Sequence, residues 1–447
     1  MERLKTTISA WLSRRAPSRE IPFVLFCATC LQLAFLKPYV VMIPGERANL
    51  FSGLLCALAL GAACSLGAKR PLRKGAGEVG MSLALGMLMI VSGFMSLTPG
   101  SSSARGFVVL SSGLGGFWCA RILLATESRR RTFVWLSSAL LGGILLFSLT
   151  SYLQVGNVYS FLDPNPHPLA TKILLLWFAP LTLLVTGSRS AKALAVFLIV
   201  ASYLVFYLSS LRSAVLIPFA LCIVAFLFQR FSLRYLLSII GVLLVVIVYF
   251  FGHLPDWKLG KEYEPAYYRV ENYPFSWHIA TKHPFLGIGL RAPREEFLKD
   301  YETKYPYVSK EQFLGSVQTI RSSENIFLTF MVEVGFPFIL FYGVSLFVLL
   351  RQLLHRIGPV EHTDALPPIA LLLPLTAALL HCLVFDALLH PQVSWFFHIL
   401  LGLIPTGREE EEAGTVSLGV ESRRASTLVG MRGQYADEGE AARVRRA

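Results

Sequence analysis

Apolar runs of about twenty residues, separated by short polar loops, occupy most of this chain. A helix needs about twenty consecutive apolar residues to cross the hydrocarbon core of a bilayer. Runs of that length predict an all-α polytopic membrane protein with about twelve transmembrane helices. The predicted spans are 21–37, 48–68, 78–97, 105–125, 132–153, 169–187, 191–209, 212–229, 233–252, 324–350, 366–388 and 391–406.

One polar stretch, residues 253–323, interrupts this pattern and predicts a large loop between the ninth and tenth helices. It contains Trp, Tyr, His and Pro residues among charges of both signs. A second polar stretch, residues 407–447, is rich in Glu, Gly, Ser and Arg. This composition is typical of a disordered tail. The predicted segments are the N-terminal segment 1–20, nine helices in 21–252, the loop 253–323, three helices in 324–406 and the tail 407–447.

The composition supports a membrane class and excludes one other class. Hydrophobic residues make up 54% of the chain and charged residues only 15%, whereas soluble domains carry about a quarter charged residues. The net charge of +13 does not indicate nucleic-acid binding, because the basic residues lie in short loops. A nucleic-acid site would place them along a stripe with interleaved aromatic residues.

The distribution of basic residues predicts the orientation in the membrane. Arginine and lysine are concentrated in alternate loops, for example 69–74, 129–131 and 189–192. The loops between them hold few, among which we count Lys172 and Arg212. Because basic loops remain in the cytoplasm, we predict that both termini are cytoplasmic and that residues 253–323 are extracytoplasmic.

The cysteines and histidines predict neither a disulfide scaffold nor a metal centre. All seven cysteines fall in apolar segments and none lies in the large loop. Cys27 and Cys30 have no second ligand pair for zinc, and His253 and His278 lack metal-ligand spacing. We expect no metal site and no cofactor.

Arg212 is a candidate anion-binding residue, since it opens a predicted span on the side where arginines are scarce. Its planar guanidinium suits bidentate phosphate binding, and a helix N-terminus adds unpaired N–H groups. The alternative is that the side chain only reaches lipid headgroups. The position of Arg212 alone does not distinguish phosphate binding from contact with lipid headgroups.

Glu324 lies where the loop re-enters the membrane. It either complements a helix dipole or acts as a general base at the lipid–water boundary. For Glu333 and for His283, which sits in a His-Pro turn, we favour structural roles. Asp386 and His390 flank a short turn, and their spacing names no role. The aromatic residues of the loop fit an interfacial belt or a sugar-binding surface equally well.

Three stretches, in this order, resemble the O-antigen ligase and polymerase family of bacterial membrane glycosyltransferases. Residues 161–165 (FLDPN) resemble an Asp-Pro-Asn turn before a helix, and 210–214 (SLRSA) a Ser-Arg element that opens one. Residues 277–289 (WHIATKHPFLGIG) resemble the Trp…His-Pro-x-x-Gly-x-Gly signature of the family's loop.

A fourth motif matches only in part. The family's ligases carry His-Asn, nine residues and then Gly-x-x-Gly. In this chain Asn325 is followed by nine residues and Gly335, but Glu324 replaces the histidine and Phe338 replaces the second glycine. The resemblance covers roughly 155–350, and the substitution leaves open whether the carboxylate is the base or the enzyme has diverged.

The resemblance implies a metal-independent, inverting glycosyl transfer on the outer face of the bacterial cytoplasmic membrane. The partners it implies are an undecaprenyl-diphosphate-linked glycan donor, a glycan or lipid-linked acceptor, membrane lipids and a chain-length regulator. Glu324 would be the catalytic base. The implied diphosphate-binding residues are Arg212, Arg269, Arg291 and Arg321, and the supporting residues are His283, Asn325 and Asn165.

Two other functions compete with this one. The helix number suits a polysaccharide transporter or flippase, although the chain shows few central charges and no inverted repeat. The replacement at Glu324 also suits a non-catalytic assembly factor built on a degenerate ligase fold. The choice between polymerase and ligase, the glycan and the oligomeric state are not determined by the sequence.

Overall fold

The structure is a computed structural model, and it describes most of the helical part of the chain. The described residues are 17–35, 41–43, 46–48, 50–67, 76–96, 99–159, 162, 166–209, 211, 213–217, 273–274, 276–290, 325–357, 366–383 and 385–405. The chain divides into two units, Met1–Ile404 and Pro405–Ala447. The predicted tail, 407–447, lies in the second unit and outside the described residues.

The described part of the first unit is predominantly helical. Its helices are α1 (Pro17–Phe35), α2 (Leu50–Gly67), α3 (Ala76–Phe94), α4 (Pro99–Leu123), α5 (Glu127–Val155), α6 (Pro166–Leu176), α7 (Phe178–Thr186), α8 (Arg189–Leu208), α9 (Ile326–Glu333), α10 (Phe336–His355), α11 (Pro368–Cys382) and α12 (Pro391–Gly402). Residues 276–282 are also helical, and a 3-10 turn, Ala387–Leu389, precedes α12.

A short antiparallel hairpin modifies the all-α expectation. Strand β1 (Val41–Ile43) pairs with β2 (Glu46–Ala48), with Ile43 opposite Glu46. The two residues between the strands are Pro44 and Gly45, a pair that strongly favours a turn. The hairpin lies between α1 and α2, where the sequence predicts a short loop.

The apolar helices identify a multi-pass membrane protein. Within the described residues, five helices are long and apolar enough to cross a bilayer: Ser102–Leu123, Glu127–Val155, Pro166–Thr186, Arg189–Leu208 and Phe336–His355. Many large apolar side chains point away from the protein, including Leu153, which is 83% exposed. Such a surface suits lipid rather than water. The number of about twelve spans and the full extent of the loop stay predictions, since much of 212–323 is not described.

Helix α4 occupies the centre of the described bundle and packs closely on α2 and α12. At Gly116 the helices approach so closely that a Cβ atom would overlap the main-chain oxygen of Trp395. Trp395 itself is fully buried. Small residues permit this close contact between membrane helices.

Lys172 corrects one detail of the predicted charge pattern. We counted it among the cations of a loop, but it lies within α6 and is fully buried. Its Nζ donates to the carbonyl of Ala34 at 3.4 Å, near the C-terminal end of α1. Cations are favourable at that end of a helix, so this lysine joins α6 to α1 inside the protein.

The predicted span 324–350 is wrong as one continuous helix. The structure interrupts it at Val334 and Gly335, between α9 and α10. Gly335 has a φ of 102°, a conformation that glycine adopts without steric cost. The hydropathy of the sequence does not reveal this interruption, because the residues on both sides of it are mostly apolar.

Candidate functional site

Two of the predicted site residues, His283 and Asn325, lie in the described part of the chain. The other six, Glu324, Arg212, Arg269, Arg291, Arg321 and Asn165, lie outside it. The candidate site is therefore built from the elements next to them. These elements are the start of α6, the start of α9, the residues before α12 and the turn at 283–290.

The turn at 283–290, here called the docking turn, binds directly to the interruption between α9 and α10. The N–H of Ile288 donates to the carbonyl of Val332, and that of Gly289 to the carbonyl of Glu333, both at 2.9 Å. In return the N–H of Phe336 donates to the carbonyl of Pro284 at 2.8 Å. Helix ends leave such groups without intrahelical partners, and the docking turn satisfies them.

Glycines are required on both sides of this contact. Gly287 has a φ of 61°, and a Cβ atom there would overlap the main chain of Glu333. A Cβ atom on Gly335 would overlap the main chain of Phe285. The two glycine motifs that carry the family resemblance are therefore parts of one contact. The nine residues between Asn325 and Gly335 are helix α9 and Val334.

Serines of α3 and α4, and Ser96 between these helices, form hydrogen bonds with the docking turn and with the end of α9. Ser92 donates to the carbonyl of Glu333 at 2.9 Å, and Ser102 donates to that of Leu290 at 2.7 Å. The hydroxyl of Ser96 lies 3.1 Å from the carbonyl of Ile288. The sequence analysis did not predict these contacts, although polar residues near the ends of two apolar runs were a signal.

Asn325 has a defined structural role at the start of α9. Its Oδ1 accepts hydrogen bonds from the N–H groups of Phe327 at 3.1 Å and Leu328 at 3.2 Å. It is therefore the N-cap residue of this helix. Glu324, one residue earlier, comes immediately before the cap. His283 is exposed and follows the helical residues 276–282, and the structural role that we favoured for it stays a prediction.

An open hollow of about 490 Å³ lies beside Asn325. Its lining includes Tyr273, Trp277, Phe327 and Leu383. The Trp277 side chain is 52% exposed and meets Phe336 edge-to-face at 5.7 Å between ring centroids. Exposed aromatic side chains in a hollow combine an apolar surface with a polar group for hydrogen bonding.

A polar cluster of which the sequence analysis named only Asp386 connects α6, α9, α11 and the 3-10 turn. Thr329 in α9 donates to Asp386 Oδ1 at 2.9 Å. In α11, His381 lies 2.7 Å from the hydroxyl of Thr171 and 3.4 Å from His167 Nδ1. Polar residues inside apolar runs are costly in a membrane and often functional. The polar residues within the predicted apolar spans were therefore the sequence signal that could have revealed this cluster.

Aromatic stacking extends the cluster toward α12. The ring of Phe385 lies between two imidazoles, with centroids 4.6 Å from His167 and 5.5 Å from His390. The interplanar angles are 17° and 21°. The short turn that the sequence left without a role therefore lies against the start of α6.

A second, apolar cavity of about 380 Å³ lies among α3, α4, α10 and α12. Met89, Phe117, Leu346 and Leu349 contribute to its wall. Tyr342 and His398 also line it, with Tyr342 Oη 3.3 Å from His398 Nε2. Its lining is that of a cavity suited to hydrocarbon.

The helices and the site together define a multi-pass membrane protein with a turn docked on an interrupted helix. The model of the O-antigen ligase family matches residues 174–343 of this chain. This match confirms the family resemblance drawn from the motifs, over less than half of the chain. No curated protein matches the chain. The similarity supports a membrane enzyme of the O-antigen ligase or polymerase type.

Proposed function

We propose that this chain is a membrane glycosyltransferase that acts on the outer face of the bacterial cytoplasmic membrane. It transfers or polymerises a glycan carried on undecaprenyl diphosphate. The hollow beside Asn325 is the observation that carries this proposal. It places half-buried Tyr273 and exposed Trp277 next to the cap of α9, and a carboxylate immediately precedes that cap in the sequence.

The proposed reaction follows from these neighbours. An acceptor hydroxyl oxygen attacks the anomeric carbon of the donor glycan, the bond from that carbon to the diphosphate oxygen breaks, and the lipid diphosphate leaves. Glu324 takes the acceptor proton, as a positioned carboxylate can in general base catalysis. Attack opposite the leaving group inverts the anomeric configuration.

The charged and apolar parts of the substrate need different surroundings. Guanidinium groups bind diphosphates bidentately, so we assign that task to Arg212, Arg269, Arg291 and Arg321. The cavity of about 380 Å³ has the apolar lining that a hydrocarbon chain requires. A transporter or a non-catalytic assembly factor would need neither a general base nor a hollow for the acceptor, the role proposed here for the hollow beside Asn325.

Glu324→Gln tests the catalytic role. The protein is reconstituted in liposomes with the lipid-diphosphate-linked glycan extracted from source cells that lack this chain, and the glycan products are separated by size. Loss of a general base lowers the rate about 10²- to 10⁴-fold. Glu127→Gln is the matched control, because Glu127 is an exposed carboxylate that pairs with Arg131 on α5.

The possible results separate the competing functions. An active wild-type protein with an inactive Glu324→Gln variant supports a glycosyltransferase with this base. Full activity of the Glu324→Gln variant would show that another residue is the general base. No product from wild type, together with release of glycan on the other side of the liposome, would instead identify a transporter.

A further inference from the structure

The side-chain amide of Asn325 has a fixed orientation beside the hollow that it lines. Its Oδ1 accepts from the N–H groups of Phe327 at 3.1 Å and Leu328 at 3.2 Å. These two bonds use both lone pairs of the oxygen. A rotated amide would place its NH₂ group against two N–H donors. The Nδ2 atom therefore points away from the main chain of α9.

The two protons of Asn325 Nδ2 are not used by the cap. Among the described residues, Nδ2 forms no hydrogen bond, and it is not one of the buried polar atoms that lack a partner. It therefore reaches the accessible surface at the edge of the hollow, where the residue is half-buried. An N-cap needs only a side-chain oxygen. The amide nitrogen thus adds a hydrogen-bond donor that the helix does not require.

Trp277 gives the same hollow an exposed aromatic ring. The side chain is 52% exposed, and its ring meets Phe336 edge-to-face at 5.7 Å between centroids. The N–H of Phe336 donates in turn to the carbonyl of Pro284 in the docking turn. The contact between the docking turn and the start of α10 therefore supports the position of this indole.

Tyr273 joins two other walls of the hollow. Its hydroxyl donates to the carbonyl of Leu383 at 3.2 Å, and both residues line the hollow. The residues before the docking turn are therefore connected both to the start of α10 and to the segment that follows α11. Contacts among the walls thus preorganise the hollow, which lowers the ordering cost of binding a ligand.

The chemistry of the lining distinguishes among the parts of the proposed substrate. The described residues that line the hollow carry no charged side chain, whereas a diphosphate is bound by cationic groups. A hydrocarbon chain would make no use of an amide donor. A sugar ring presents an apolar face of C–H groups and a rim of oxygen atoms. It therefore matches an exposed aromatic ring together with an available N–H donor.

We propose that the hollow binds one sugar ring of the acceptor glycan. Asn325 Nδ2 donates a hydrogen bond to an oxygen atom of that sugar, and the Trp277 ring lies against its apolar face. This inference rests on the proposed function and names the residues that recognise its acceptor. Glu324, the proposed base, directly precedes Asn325 in the sequence. Asn325 is thus both the cap of α9 and a substrate-binding residue.

Asn325→Ser separates these two roles. Serine caps a helix about as well as asparagine, but its shorter side chain does not extend an amide donor past the cap. The melting temperature should therefore stay at the wild-type value. Asn325→Ala removes the cap oxygen as well, so it should lower the melting temperature. A residue that only capped α9 would tolerate serine without any change in activity.

Kinetic measurements in liposomes report the contact with the acceptor. The extracted lipid-linked glycan is the donor at fixed concentration, and a glycolipid extract of the same cells is titrated as the acceptor. We expect kcat/KM for the acceptor to fall about tenfold in Asn325→Ser, the size of one lost hydrogen bond. The rate at saturating acceptor should change little. The Kd of labelled undecaprenyl diphosphate should stay at the wild-type value.

Trp277→Ala tests the aromatic surface. It should lower kcat/KM for the acceptor by about two- to tenfold, the size of one aromatic contact, whereas Trp277→Phe should keep most of the activity. Trp135→Ala is the matched control. Trp135 lies in α5, is 51% exposed and is not part of the lining of the hollow. An equal loss in Trp135→Ala would show that Trp277 is only an interfacial aromatic residue.

Fluorine NMR tests sugar binding without any catalysis. The seven tryptophans of the chain are replaced by 5-fluorotryptophan, and the protein is placed in lipid nanodiscs. Trp277→Phe and Trp135→Phe assign the two signals. Oligosaccharide released from the glycolipid extract should shift the signal of Trp277 and leave that of Trp135 unchanged. Asn325→Ser should need about tenfold more oligosaccharide for the same shift.

The possible results separate this inference from the proposed function. An unshifted Trp277 signal would overturn the sugar site in the hollow. Wild-type acceptor kinetics in Asn325→Ser, with an active wild-type protein, would overturn the role of the Asn325 amide. An inactive wild-type protein would overturn the proposed function, and the fluorine signal of Trp277 would still decide whether the hollow binds a sugar.

Discussion

The hydroxyl of Thr329 donates to Asp386 Oδ1 across 2.9 Å and joins α9 to the 3-10 turn before α12. Both residues are buried, with Asp386 5% exposed. A carboxylate in such surroundings depends on its hydrogen bonds, because desolvation without compensation is costly. This bond holds the helix that begins next to Glu324 against the segment that stacks on His167.

Thr329→Val should therefore destabilise the protein by about 1–3 kcal/mol, the cost of removing one partner from a buried polar group. Thr329→Ser should recover most of the loss. Thermal unfolding in detergent measures the difference. Thr132→Val is the control, since its exposed hydroxyl only bonds within α5. Equal melting temperatures for the two valine variants would show that the bond to Asp386 adds nothing.

Gly287→Ala and Gly335→Ala should prevent the docking turn from seating on the α9–α10 interruption. Each puts a side chain on a backbone with positive φ, at a cost of about 1–3 kcal/mol. In addition, each new Cβ would overlap main-chain atoms. We expect a lower yield of folded protein and a lower melting temperature.

Gly343→Ala is the counterpart in α10, because nothing lies within 4 Å of a Cβ at that position. Alanine is favoured over glycine in a helix by about 1 kcal/mol, so this variant should be neutral or slightly more stable. If Gly287→Ala were as stable as Gly343→Ala, the docking turn would not be seated as described.

Arg212→Lys should lower turnover although it keeps the positive charge. A lysine does not reproduce the bidentate grip of a guanidinium on a diphosphate. The assay is glycan transfer in liposomes, with binding of labelled undecaprenyl diphosphate measured in parallel. Arg189→Lys, at the exposed start of α8, serves as the control. If Arg212→Lys and Arg212→Ala both form as much product as the wild-type protein, Arg212 is only an interfacial anchor.

Cysteine labelling tests the orientation. Ser276 is fully buried, so a thiol there would report poorly, whereas Thr281 is exposed at the end of the same helical segment. In a background without the seven native cysteines, Thr281→Cys should react in whole cells with an impermeant reagent. Ser417→Cys should react only after lysis. The reverse pattern would invert the topology and withdraw the catalytic assignment.

The sequence by itself determined the class of this protein. Hydropathy predicts membrane helices because each span must bury about twenty residues in hydrocarbon, whatever its neighbours are. The glycine motifs at 287–289 and 335 could also be recognised in the sequence, because each reflects a local backbone requirement. A position that needs a positive φ and no side chain accepts hardly any other residue.

Only the tertiary structure decided which of these local features meet. The interruption at Gly335 is invisible in an apolar run, because it is stabilised by hydrogen bonds from the docking turn, some fifty residues earlier in the sequence. His167 and His381 lie 214 positions apart. Their contact follows from the packing of α6 against α11, and packing depends on the shapes of whole helices rather than on any periodic pattern along the chain.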